Sequence, residues 1–209
     1  MTGDDLHRLL DAALETFVSS ADELRDLDAA TGDGDLGVTV RGGVAAAQAA
    51  LSELEPGASP ADVVRAVASA IARSNPATFS TLSASALLAA AKAIDGIDDL
   101  GRSDLLRFGR AAADTIALRG KATLGDKTVL DALVPSLDAA EAAASDESAF
   151  EAAVGAARQG VDTTAALVAR RGRAAWIGER GRGHPDAGAT AYLRFLEAIG
   201  SAWSGPIDG

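Results

Sequence analysis

The chain has 209 residues, 48% of them hydrophobic, which is enough apolar surface for one sizeable core and excludes a wholly disordered protein. Thirty acidic residues against nineteen lysines and arginines give a net charge of −11, which excludes nucleic acid and an anionic membrane surface as default partners and asks for a bridging cation beside any phosphate ligand. With no cysteine and only two histidines, His7 and His184, the sequence excludes disulfides, thiolate metal centres and cysteine nucleophiles.

Alanine, the strongest helix former, fills 49 positions while aromatic residues make up 4%, so closely packed helices are expected. Leu6, Leu9, Leu10, Ala13, Leu14, Phe17 and Val18 recur at three- and four-residue steps and predict a first amphipathic helix over 4–24. The same periodicity predicts helices near 37–54, 60–73, 79–95, 102–119, 126–144, 147–170 and 188–203. Ser59 is placed to cap the third with Pro60 at its first position, Asp126 to cap the sixth, and Ser145 to Ser148 form a polar turn before the seventh. No strand-like alternation, fixed repeat or long linker appears, so one all-α domain over 1–209 is expected, an eight-helix antiparallel up-and-down barrel or bundle. The start lacks a basic and an apolar leader region and no long apolar run follows, which predicts a cytoplasmic protein.

Four connections, 28–39, 73–81, 119–128 and 171–188, are richer in glycine and in charged or hydroxyl residues than a helix-to-helix turn requires. In an up-and-down array they are the first, third, fifth and seventh connections and share one end, where a binding site is expected. In the first, Asp28, Asp33 and Asp35 supply hard oxygen ligands suited to Mg²⁺ or Ca²⁺, and Gly32, Gly34 and Gly37 let the backbone fold tightly enough to bring them together. The same residues also suit a solvated helix-capping turn. An EF-hand is excluded, because the twelfth position counted from Asp33 is Val44, where a bidentate glutamate is needed. Gly37, Val38 and Thr39 open the next helix, whose amides and positive dipole end suit a phosphate.

The second of these connections, around Ser74, Asn75 and Thr78, offers hydroxyl and amide groups that suit either phosphate or helix capping. The third contains Gly120-Lys121 and Gly125-Asp126-Lys127-Thr128 but lacks the spacing of a Walker A loop, so a P-loop is excluded, and Lys127 suits either the helix start or a phosphate. The fourth gathers Arg171, Arg173, Arg180 and Arg182, a basic cluster able to clamp phosphate in an otherwise acidic chain. His184, alone beside Pro185, is not expected to be catalytic.

Three segments carry a resemblance: Thr31-Gly32-Asp33-Gly34-Asp35-Leu36-Gly37, Gly125-Asp126-Lys127-Thr128-Val129-Leu130-Asp131-Ala132-Leu133, and Gly172-Arg173-Ala174-Ala175-Trp176-Ile177-Gly178-Glu179-Arg180. In this order they resemble the L subunit, or nucleotide-binding domain, of dihydroxyacetone kinases. The resemblance implies an eight-helix barrel holding ADP or ATP at one end through two Mg²⁺ ions. The metal ligands it implies are Asp28, Asp33 and Asp35. The nucleotide contacts it implies are Leu36, Gly37, Val38, Thr39, Ser74, Asn75, Gly120, Val129, Arg173, Asp186, Ala187 and Gly188, with no catalytic side chain beyond the metal ligands.

It further implies kinase activity shared with a separate K subunit that binds a short keto-sugar, with either ATP or a phosphotransferase-system protein as phosphoryl donor. A homodimer is compatible with it, and neither nucleic acid nor membrane is implied. Two departures stand out. The family's Gly-Gly-x-Ser-Gly loop reads Ser74-Asn75-Pro76-Ala77-Thr78, where Pro76 removes an amide donor, and its Asp-Pro-Gly reads Asp186-Ala187-Gly188. The alternative from another class is a noncatalytic, nucleotide-loaded adaptor that docks a K subunit or a transcription factor.

Overall fold

The structure, a computed structural model, describes residues 1–203. Nine α-helices follow one another among them: α1 (Gly3–Phe17), α2 (Ala21–Thr31), α3 (Leu36–Ser52), α4 (Pro60–Ser74), α5 (Thr78–Ala93), α6 (Arg102–Gly120), α7 (Leu130–Ala142), α8 (Asp146–Thr164) and α9 (Ala187–Ala202). A 3-10 turn, Val18–Ser20, joins α1 to α2, so the two together replace the single first helix expected and continue to Thr31 rather than stopping near Leu24. Counted as rods there are then eight, as the periodicity predicts. The described residues contain no strand, only an isolated bridge between Thr2 and Asp99. No helix among them is long and apolar enough to cross a membrane.

The helix starts obey local chemistry. Thr2 and Asp5 form a capping box on α1, Ser59 accepts the Asp62 amide with Pro60 at the first position of α4, and Ser145 accepts the Ser148 amide at α8. One predicted cap is different: α7 begins at Leu130, and Asp126 lies in the preceding loop. There Asp131 takes over, accepting the Thr128 amide at 2.8 Å and the Gly125 amide at 2.5 Å.

From α2 onward each helix packs on the next in sequence, and α9 returns to α1 and α2, closing the array. The main core runs through Leu14, Leu24, Val40, Val44, Leu51, Val63 and Val67, with Phe17 and Phe195 meeting edge to face at 5.6 Å between ring centres. A second cluster centres on Leu130, Leu133 and Leu137, a third on Ala132, Ala157, Val161 and Leu193. Small residues set the closest approaches. A Cβ on Gly160 of α8 would stand 2.2 Å from the Asp131 carbonyl of α7. That carbonyl lies four residues before Pro135, which has no amide to return to it. Likewise a Cβ on Gly37 would stand 2.4 Å from the Ala21 carbonyl, so α3 starts in direct contact with α2.

Candidate functional site

The four connections singled out in the sequence are joined to one another by direct contacts. Asp28 sits on the last turn of α2, and Asp33 and Asp35 follow in the short link to α3. Gly34 turns that link with φ of +74°. One carboxylate oxygen from each of the three lies within 4.8 Å of the others. Asp28 also accepts the Leu36 amide at 3.1 Å, which anchors the start of α3. Burial, reinforced by the charge of Asp28, pushes the Asp35 carboxyl above its ordinary value. The donor set is three hard oxygens carrying more negative charge than nearby cations offset, and it fits Mg²⁺.

Arg173, at the start of a 3-10 turn (Arg173–Trp176) in the long connection after α8, pairs with Asp33 and, at 3.3 Å, with Asp35. Trp176, at the other end of that turn, is 86% exposed, and Val38 in the first turn of α3 is 68% exposed. Leu36, Gly37 and Thr39 are buried. Thr39 receives a hydrogen bond from the Asn75 amide at 3.2 Å, which brings the α4–α5 link to the acidic loop. Asn75 in turn accepts the Ala77 amide. Ser74 instead donates to the Ile71 carbonyl of its own helix. Ser80, in the first turn of α5, keeps a buried hydroxyl without a hydrogen-bond partner.

The other side of the rim is built around Asp126, Lys127 and Asp186. Asp126 accepts from Arg171 at 3.1 Å and from the Thr123 amide at 3.1 Å. Burial alone would raise its carboxyl, but these partners outweigh it and hold it below the ordinary range. Lys127, 2% exposed, donates to the carbonyls of Leu167, Gly181 and His184 at 3.2, 2.8 and 2.8 Å, so its ammonium is spent on backbone and does not face a phosphate. Burial lowers its pKa despite the nearby Asp186. Asp186 caps α9 through the Ala189 amide at 2.7 Å, and Val129, just before α7, faces Gly188, whose Cβ would lie 3.9 Å from the Val129 side chain. Ala187 is buried behind them, and Gly120 ends α6.

Residues 30–201 match the family model described as the DAK2 domain. The chain belongs to the DAK2 domain family. This DAK2 chain is 40% identical over 192 residues to a D-erythrulose kinase of Mycolicibacterium smegmatis, covering 88% of the chain and 33% of that protein. It is 32% identical over 176 residues to the ADP-binding subunit DhaL of PEP-dependent dihydroxyacetone kinase 1 of Listeria innocua, covering 84% of each. The chain spans about a third of the length of the erythrulose kinases that it matches. The fold is that of the dihydroxyacetone kinase from C. freundii solved with AMP-PNP and Mg²⁺, with a TM-score of 0.73 and 21% identity over 94% of this chain and 33% of that one.

Sequence reasoning leaves three members of the DAK2 rim unassigned: Asp131, which closes the turn before α7, Thr164, whose hydroxyl receives the Asp186 amide at 2.8 Å, and Lys127 in its clasping role. Asp131 alone had a local signal, standing three residues after Thr128 as a reversed cap.

Proposed function

We propose that this chain is the nucleotide-binding, phosphoryl-transferring part of a dihydroxyacetone-type kinase, acting in the cytoplasm with a separate K subunit that holds a short keto-sugar. The observation that carries this reading is the convergence of Asp28, Asp33, Asp35 and Arg173 on the first turn of α3 in a DAK2 chain. The names of the relatives, erythrulose kinases and ADP-binding subunits, support the substrate class and the nucleotide.

Asp28, Asp33 and Asp35 would hold two Mg²⁺ ions, which when bound neutralise phosphate oxygens and polarise the transferring group. The chain's own part is to bind and orient. The Gly37 and Val38 amides, left without helical partners in the first turn of α3, point a positive dipole end at the phosphates. Asn75 fixes Thr39 and with it the register of that turn. Arg173 exchanges its carboxylate partners for phosphate oxygens, which it can grip with two parallel N–H donors. Leu36, Ser74, Gly120, Val129 and the Asp186-Ala187-Gly188 stretch complete the nucleotide site around this centre. The donor is either ATP or a phosphotransferase-system protein that recharges bound ADP.

A second reading, a helical adaptor with a degenerate nucleotide site and no transfer activity, draws on Pro76, which removes an amide from the link beside Thr39. Calorimetric titration of metal-stripped protein with ADP and ATP, with and without Mg²⁺, tests the site. Binding is expected only with Mg²⁺, weakened at least about 10-fold by Asp33→Asn. Affinity indifferent to both metal and substitution sinks the assignment. Phosphoryl transfer assayed with a K subunit then separates kinase from adaptor.

A further inference from the structure

We propose that Lys127, with Asp126 beside it, is the positioning residue that sets where Arg173 stands, by clasping the base of the 165–186 segment. The inference rests on the reading of Arg173 as a nucleotide-facing group. Lys127 Nζ ties together the carbonyls of Leu167, Gly181 and His184, which lie 40, 54 and 57 residues further along the chain. Asp126 adds two bonds to the same base: its carbonyl accepts the Arg170 amide at 3.0 Å and its carboxylate the Arg171 side chain. Around them the two ends of the segment are stitched directly, the Gly183 amide to the Ala165 carbonyl at 2.8 Å and the Arg182 side chain to the Ala166 carbonyl at 2.7 Å. What remains outside the clasp is 172–180, turned at Gly172 and Gly178 with φ of +66° and +62°, and it carries Arg173 and Trp176.

The chemistry of the hub asks for lysine. Three convergent carbonyls bring no donor of their own, and an ammonium supplies three N–H groups from one point, whereas the planar guanidinium of arginine spreads its donors in a fork. The backbone at Lys127 has φ of +62°, a conformation in which glycine is favoured. A long cationic side chain held there against its backbone preference indicates that its far end is what the position needs. Removing the ammonium takes a shared donor from three carbonyls, the Gly181 bond buried and the other two part-buried, so the base opens locally before the helices do.

Hydrogen exchange read by mass spectrometry, without ligand, on the wild type, Lys127→Met and the remote Lys92→Met tests the clasp at a temperature where circular dichroism shows all three fully helical. In Lys127→Met the amides of 172–180 are expected to exchange at least about 10-fold faster, with α1 to α6 unchanged, and Mg²⁺-ADP affinity to fall about 10-fold. Lys92→Met is expected to change neither. Exchange equal to wild type, or acceleration spread evenly over all helices, overturns the clasp. Local acceleration with unaltered affinity overturns the positioning of Arg173. If the wild type itself binds no Mg²⁺-ADP, the nucleotide reading fails while the exchange arm still decides the clasp. Should Lys127→Met not fold, Lys127→Arg, which keeps the charge and changes the donor geometry, carries the same comparison.

Discussion

Arg173 reaches back across 138 residues of sequence to place its guanidinium 3.3 Å from Asp35, while pairing with Asp33 as well. Both carboxylates and the guanidinium are about half exposed, so water screens the pairing and its net worth is at most about 1 kcal/mol. A contact this cheap is easily exchanged for a phosphate. Arg173→Ala is therefore expected to leave the melting temperature almost unchanged and to weaken Mg²⁺-nucleotide binding about 10-fold or more, as calorimetry would show. Arg182, whose guanidinium is occupied by Glu179 and the Ala166 carbonyl, should change binding far less when replaced by alanine. Equal small effects would reduce the arginine cluster to solvated surface.

Gly160 offers a sharper test of packing. Alanine there would drive a methyl group onto the Asp131 carbonyl and the Ala132 Cα, both backbone, and neither can step aside without shifting α7. A loss of about 3 kcal/mol is expected, lowering the melting temperature by roughly 6–12 °C. Thermal denaturation of Gly160→Ala beside Gly155→Ala, on the same helix but with open space around its Cβ position, separates the clash from helix propensity.

Asp186 should impose a pH dependence on stability. Burial pushes its carboxyl up to about 6, with Asp131 adding to the effect and the Ala189 amide and Lys127 opposing it. As pH rises past the ordinary value of 3.8, the unfolded chain gives up a proton that the folded carboxyl still holds, so stability falls between about 4 and about 6 and stays lower above. The loss amounts to at most about 3 kcal/mol. Asp186→Asn keeps an oxygen for the Ala189 amide and removes the ionisation. Its melting curves should lack this component of the fall and lie above wild type at neutral pH; parallel pH profiles would contradict the assignment.

Tyr192 is the only tyrosine, so absorbance at 295 nm follows its ionisation alone. Burial raises the phenol to about 12, partly countered by the Ser136 hydroxyl 2.7 Å away. A titration midpoint near 10 in the folded protein would show the ring to be accessible. Tyr192→Phe removes one part-buried hydrogen bond and should cost about 1 kcal/mol in urea unfolding.

The rim was legible in the sequence because each of its four connections advertises itself locally: glycines around Asp33 and Asp35, Asn75 before Pro76, Gly125 before Asp126, and arginines around Gly172. Helix starts at Ser59-Pro60 and Ser145 were legible for the same reason, since a cap is a three-residue affair. Asp28 reads as a loop residue but lies on α2, because Leu27 packs on the core and Thr31 is buried, which carries the helix on to Thr31. Gly125-Asp126-Lys127-Thr128 reads as a helix start, yet the partners that give Asp126 and Lys127 their places lie some forty to sixty residues away. No local pattern encodes such a meeting.

Only residues 32–35 separate α2 from α3, and Gly37 lets the two helices touch at once. There is consequently no slack between the carboxylate carried by α2 and those carried by the link: sliding one helix along the other by a single residue, about 1.5 Å, would displace Asp28 from Asp35 by a comparable amount. On the proposed reading of these carboxylates, cation affinity is a gauge of interhelical register. A trimmed side chain deep in the interior, such as Val44→Ala, should detune the carboxylates from a distance, without altering any atom of the three carboxylates themselves.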